Sequence, residues 1–106
     1  MQAGTGGEHQ VVPVASLKAG TSATIEATIV SISPPRDVIT RRGPARVADA
    51  TLKDDSGTIV LSLWDRDIEQ FHANQKIRIT DGWVSDGYQG GRKIGRGHSG
   101  KIDVLE

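Results

Sequence analysis

Along most of the chain, apolar residues alternate with polar ones in short runs, and glycine, proline or aspartate separates the runs. A period of two is the mark of half-buried strands. In 21–33, Ile25, Ala27 and Ile29 share one parity and Val30 and Ile32 take the other. A long strand with a bulge or bend in its middle accounts for the switch. Pro34-Pro35 ends that strand. The stretch 36–44 (RDVITRRGP) reads as a basic loop, and 45–53 as a second strand. Asp54-Asp55-Ser56-Gly57 has the composition of a hairpin turn with glycine in a left-handed position. A third strand, 58–64, sets Ile59, Leu61 and Leu63 on one face. Asp65 is placed to cap a short helix over 66–71, in which Ile68 and Phe71 are three apart. After a loop at 73–75, Ile77 and Ile79 alternate with Lys76, Arg78 and Thr80 in a fourth strand, 76–84. Residues 85–91 read as a loop, 92–96 as a fifth strand, and 101–105 as a closing strand or a strand extension. Residues 1–10 have no apolar period and read as a flexible arm. A short lead-in, 11–20, ends in a turn at Gly20.

Five short strands with a brief helix between the third and fourth predict an all-β domain over 11–106. The order matches the OB-fold, a five-stranded Greek-key barrel. Closure removes the strand edges that a small sheet otherwise exposes, and a β-sandwich needs more strands than this chain supplies.

Composition narrows the function. The chain has 106 residues, with 25% charged and 36% apolar, and thirteen basic residues balance thirteen acidic ones. A uniformly basic polyanion binder is excluded, but a local basic face is not. The absence of cysteine excludes disulfides, thiolate metal sites and a cysteine nucleophile. No apolar run is long enough for a membrane span, and the N-terminus lacks a secretory pattern. The expected location is cytoplasmic, nucleoid-associated in a prokaryote or archaeon and nuclear in a eukaryote, with no membrane partner.

The four aromatic residues, Trp64, Phe71, Trp83 and Tyr88, fall within one quarter of the chain. Trp64 is out of phase with Ile59, Leu61 and Leu63, which places it on the outer wall as a binding residue, or as a cover for the barrel mouth or the short helix. Trp83 shares the parity of Ile77 and Ile79. It reaches the outside only if Gly82 marks a bulge, and otherwise it belongs to the core. Tyr88 sits among glycines in DGYQGG as a mobile stacking side chain or a lone surface tyrosine.

Charge is segregated around these aromatics. Residues 36–46 carry Arg36, Arg41, Arg42 and Arg46 against one aspartate, and 88–101 carry Arg92, Lys93, Arg96 and Lys101 with no acid, whereas 47–81 holds four bases against seven acids. In an OB barrel the two basic segments flank the wall on which oligonucleotides lie. Such a wall stacks bases on aromatic faces and tracks phosphates with cations over ~4–16 nucleotides, here at the low end. Arginine suits this because its planar fork both stacks and grips phosphate.

Signals for catalysis are poor, and neither a catalytic centre, a metal nor a cofactor is expected. His9, His72 and His98 have no ligand spacing. Gly95 to Gly100 (GRGHSG) lacks the lysine ending of a phosphate-binding loop. Asp49, Asp65 and Asp67 are a weak nuclease set.

Four segments together resemble a known family: ASLKAG (15–20), VADATLKDDSGTIVLSLWD (47–65), KIRITDGWVSDGYQG (76–90) and GRG (95–97). The chain is similar to the archaeal-type single-stranded DNA-binding proteins, a single-OB group related to replication protein A and to the eukaryotic sensor-of-single-stranded-DNA subunits. The resemblance implies largely sequence-independent binding of single-stranded DNA in replication, recombination or repair. It also implies base stacking on Trp64, Trp83 and Tyr88, although the interval from Trp83 to Tyr88 is one residue longer than in relatives. Replication and repair proteins are the implied partners, recruited in relatives through a polar C-terminal tail that is not among these 106 residues. Two alternatives stay open: a protein-interaction subunit, with the tryptophans as interface anchors, and a single-stranded RNA binder, since stacking does not sense the 2′-hydroxyl.

Overall fold

A computed structural model describes residues 10–87, 91–97 and 100–105. The chain runs as strands β1 (Thr21–Ile32), β2 (Arg36–Thr40), β3 (Gly43–Asp54) and β4 (Gly57–Trp64), a one-turn helix α1 (Asp67–Gln70), then β5 (Lys76–Asp86), β6 (Arg92–Gly95) and β7 (Lys101–Val104). A 3-10 turn at Val14–Ser16 precedes β1. The sheet is ordered β1-β3-β4-β6-β5, and β5 returns to pair with β1. That ring of five strands is the expected OB barrel, with β4 and β6 parallel and the other ring pairs antiparallel. The expected N-terminal arm lies outside the described residues except for Gln10.

Alternation decides which side chains fill the barrel. Ile25, Ala27 and Ile29 of β1, Ala50 and Leu52 of β3, Ile59, Leu61 and Leu63 of β4, Ile77, Ile79 and Val84 of β5 and Ile94 of β6 are buried in one cluster. Burial of these aliphatics is the main driving force for closure. Val14 and Leu17 join them from the lead-in and Phe71 from just after α1. The parity switch in β1 is real: the register with β3 slips between Ile29 and Ser31, Val30 turns outward and Ile32 packs against the core.

Three local expectations are corrected. The stretch 36–44 is not a loop. It forms β2 and the start of β3, a hairpin turning at Arg41-Arg42 and closed by the Thr40 hydroxyl donating to the Gly43 carbonyl at 2.8 Å. The β-branched run Val38-Ile39-Thr40 favours extension over a coil. Gly57 is not left-handed. Instead the Asp54 carboxylate holds the turn, Oδ1 accepting from the Ser56 amide (2.7 Å), the Ser56 hydroxyl (2.6 Å) and the Gly57 amide (3.1 Å). Asp65 does not cap α1, which has no side-chain cap. It adopts φ 49° and its Oδ1 accepts from the Arg46 amide at 3.1 Å, tying the end of β4 to β3.

The bulge that governs Trp83 lies in β5. Ala23 faces Gly82 but Ile25 faces Ile79, so β5 carries one extra residue there. Asp81 takes φ 53° at the bulge. Its amide donates to the Oγ1 of buried Thr24 at 3.1 Å. Ile79 and Thr80 are consecutively buried, after which Gly82 and Val84 point in and Trp83 points out. Gly82 is required for a steric reason: a Cβ there would stand 2.6 Å from Ile79 Cγ2 and 2.9 Å from the Gly95 carbonyl oxygen.

Two outcomes test these assignments. Thr24→Val keeps the shape but removes the hydroxyl that accepts from the Asp81 amide, and is expected to cost about 0.5–1.5 kcal/mol in denaturant unfolding. Unchanged stability would show that the hydroxyl does not hold the bulge. For Asp54, burial raises the carboxyl, but hydrogen bonds from the Ser56 hydroxyl and the Val14, Ser56 and Gly57 amides outweigh it, and the net shift is downward from 3.8. A lowered folded value stabilises above the unfolded value and is lost as pH falls through the folded one. Asp54→Ala is therefore expected to lose about 1–2 kcal/mol at neutral pH. The gap from the native protein should shrink below about pH 4 in thermal melts across pH.

Candidate nucleic-acid interface

Strand phase and the bulge place both indoles on the outside of the same wall. In β4, buried Ile59, Leu61 and Leu63 leave Val60, Ser62 and Trp64 facing outward, and Trp64 is 43% exposed. In β5, the extra residue at Asp81 turns Trp83 outward, and it is 49% exposed. Trp83 stands opposite Gly95 in the β5–β6 ladder. The parallel β4–β6 register, Val60 with Lys93 and Leu61 with Ile94, brings Ser62 level with Gly95 and Trp64 two residues beyond. Two strand spacings and two residue rises set the tryptophan Cα atoms roughly 12 Å apart. One indole therefore stands on each side of β6. Two half-exposed indoles flanking one groove form an apolar patch of the kind that marks an interaction site.

A groove of about 820 Å³ lies between them, lined by Ser22, Ser62, Trp64, Asp81, Trp83, Ser85 and residues 93–97. On the other side of Trp64 a second groove of about 400 Å³ is lined by Arg36, Val38, Ile39 and Thr40 of β2, Val47, Asp49 and Val60, together with Arg92 and Lys93. Ser62, Trp64 and Lys93 line both. Trp64 is thus the divide of one trough that runs from the β5–β6 wall to the β2–β3 hairpin.

The expected cations fall into two groups. Arg36, Arg92, Lys93 and Arg96 line the trough, against two acids, Asp49 and Asp81. Arg41 and Arg42 form the exposed hairpin tip, and Arg46 lies outside both grooves. Several are already engaged. Arg36 Nη1 is 3.2 Å from Asp49 Oδ2, Arg46 Nε is 3.9 Å from Asp37 Oδ1, and Arg96 Nη2 donates to Asp67 Oδ1 at 2.7 Å. Arg92 Nη1 donates to the Leu17 carbonyl and, at 3.5 Å, to that of Ala15, which fastens β6 to the lead-in. Lys93, Arg41 and Arg42 have no ion pair among the described residues. The exposed pairs Arg36–Asp49 and Arg46–Asp37 are worth about 0–1 kcal/mol each, whereas Asp67, the partner of Arg96, is mostly buried.

Asp49, Asp65 and Asp67 do not converge: each serves a different partner, Arg36, the Arg46 amide and Arg96. Among the described residues no group of three or more His, Asp or Glu side chains is arranged to hold a metal ion. Tyr88 lies outside the described residues. Sequence reasoning missed Val38 and Ile39, because the arginines and prolines around them give 36–44 the look of a loop. Ile39 is 82% exposed on β2 and lines the trough. The β-branched run Val38-Ile39-Thr40 was the available signal.

Comparison with known proteins agrees with this architecture. No family model matches the chain. Replication factor A of Methanothermobacter thermautotrophicus is 30% identical over 90 residues, covering 81% of this chain and 11% of the relative. The chain thus spans about a tenth of the length of the curated relative that it matches. The solution structure of the replication factor A related protein from Methanobacterium thermoautotrophicum superposes with a TM-score of 0.77 at 24% identity, covering 93% of this chain and 94% of that one. A replication protein A heterotrimer bound to single-stranded DNA contains a chain that superposes with a TM-score of 0.70 at 23% identity, over 89% of this chain and 24% of that one. Barrel topology and sequence kinship agree: the chain is an OB-fold domain related to archaeal replication factor A.

Proposed function

We propose that this domain binds single-stranded DNA without catalysis and largely without regard to sequence, as part of replication, recombination or repair. The observation that carries the reading is the trough itself: two outward indoles on one wall, continuous through Trp64 with a hairpin that bears Arg36, Arg41 and Arg42. Unpaired bases stack on Trp64 and Trp83, each worth ~1–3 kcal/mol for any base, because every base has a π-face. Lys93 and Arg96 hold phosphates beside the indoles, and Arg36 and the hairpin arginines hold them farther along. Arg92 contributes the part of its fork not spent on the lead-in carbonyls, and Arg46 acts with the hairpin. Tyr88, two residues beyond the end of β5 in sequence, is a third stacking residue. The kinship with a protein of replication supports this reading, as does the shared fold with a heterotrimer bound to single-stranded DNA. The partners we infer are other replication and repair proteins.

A tryptophan-fluorescence titration with oligo-dT tests the proposal. Trp64→Ala is expected to weaken binding about 5- to 150-fold, the loss of one stacked base. For the native domain, log affinity should fall with log salt with a slope of about −2 to −3, as for three or four neutralised phosphates at about −0.7 each. Affinity unchanged by both the substitution and salt would reject the reading, and a stable protein complex indifferent to added DNA would favour the interaction-subunit alternative.

A further inference from the structure

The glycines around β6 are not equivalent. Gly97 has φ +77°, and a Cβ on it would lie 3.0 Å from the Asp81 carbonyl oxygen and 3.3 Å from the Trp83 amide nitrogen. A Cβ on Gly100 would lie 2.7 Å from the carbonyl oxygens of both Thr80 and Asp81. Those two glycines are required by the fold, since they let the chain after β6 pack against the bulge. Gly95 is different. Its φ is outside the left-handed region, and a Cβ on it would meet nothing within 4 Å. Yet it sits in the ladder opposite Trp83 and lines the groove between the indoles. Its neighbour Ile94 is fully buried, so residue 95 points outward into that groove. A strand glycine that neither conformation nor internal packing requires weakens the strand relative to alanine, and such glycines mark places where a ligand approaches the backbone.

Resting on the reading above, we propose that Gly95 is the contact floor of the site: an unpaired nucleobase stacked on Trp83 seats against the bare β6 backbone between the two indoles. The missing side chain sets how deep the base descends. Any side chain there occupies the space that the base needs, while the protein itself has no objection to it. Gly95 is thus a specificity-determining position. It admits a flat, unpaired base edge only so long as the floor stays bare.

Stability and affinity should therefore move in opposite directions. Gly95→Ala and Gly95→Val are expected to melt at or above the native temperature, because the strand gains a residue with better extended propensity and meets no clash. Oligo-dT affinity should fall with side-chain size, reaching about 5- to 150-fold for Gly95→Val, the loss of one stacked base. Native domain that binds oligo-dT alongside a Gly95→Val variant that binds equally well would overturn this inference alone. Native domain that does not bind oligo-dT at all would overturn the proposed function and this inference with it. A lowered melting temperature in both variants would show that the fold itself requires the glycine, which also overturns the inference. A merely structural role cannot give a more stable variant that binds less.

Discussion

The site depends on one extra residue in β5. Without the bulge at Asp81, strict alternation would turn Trp83 into the barrel and Val84 out of it. A hydrogen bond across the strands offsets part of the cost of the insertion: the Asp81 amide donates to the hydroxyl of buried Thr24 on the facing strand. The sequence around it is shaped by the same event. Gly82 leaves room for Ile79 and the Gly95 carbonyl, and Gly97 and Gly100 let the chain after β6 pass close over Thr80 and Asp81. Gly97 and Gly100 thus serve packing beneath the aromatic wall. Bulges at barrel rims commonly re-aim a side chain in this way.

Electrostatics of the trough follow a related economy. The chain is neutral overall, and three of its arginines rest on aspartates, one of which, Asp67, is mostly buried at the start of α1. These pairs tether long, flexible side chains to neighbouring carboxylates. Under the proposed binding of single-stranded DNA, exposed pairs that are weak and screened by salt yield to phosphate at little cost, and the release of counterions drives association. A locally cationic, globally neutral surface favours a polyanion aligned along the trough over indiscriminate attraction.

Much of this is legible in the sequence. The phase of Ile59, Leu61 and Leu63 against Trp64 fixes the outward face of β4, because a period of two leaves no freedom once the core face is known. The switch from Ile29 to Ile32 reports the bulge in β1 in the same way. Other features rest on partners far along the chain. Asp65 has the residue type and position of a helix cap, but its carboxylate goes to the Arg46 amide, nineteen residues away. The Asp54 turn is held partly by the lead-in, through the Val14 amide at 2.9 Å. Arginines at 36–42 mask a β-branched run, so β2 has the sequence character of coil. Trp83 stays ambiguous in sequence because glycine at 82 signals a bulge without saying which residue carries it. The residue that decides, Thr24, is 57 residues from Asp81.

The most direct test of base stacking on this wall is a two-dimensional nitrogen–proton NMR titration that follows the two indole Nε1–H resonances. Added oligo-dT should shift both signals together and leave resonances of the opposite side of the barrel in place, whereas an equal concentration of duplex should move neither. If both indole signals stay still while backbone resonances elsewhere respond to oligo-dT, nucleic acid binds on another face, and stacking on Trp64 and Trp83 is contradicted.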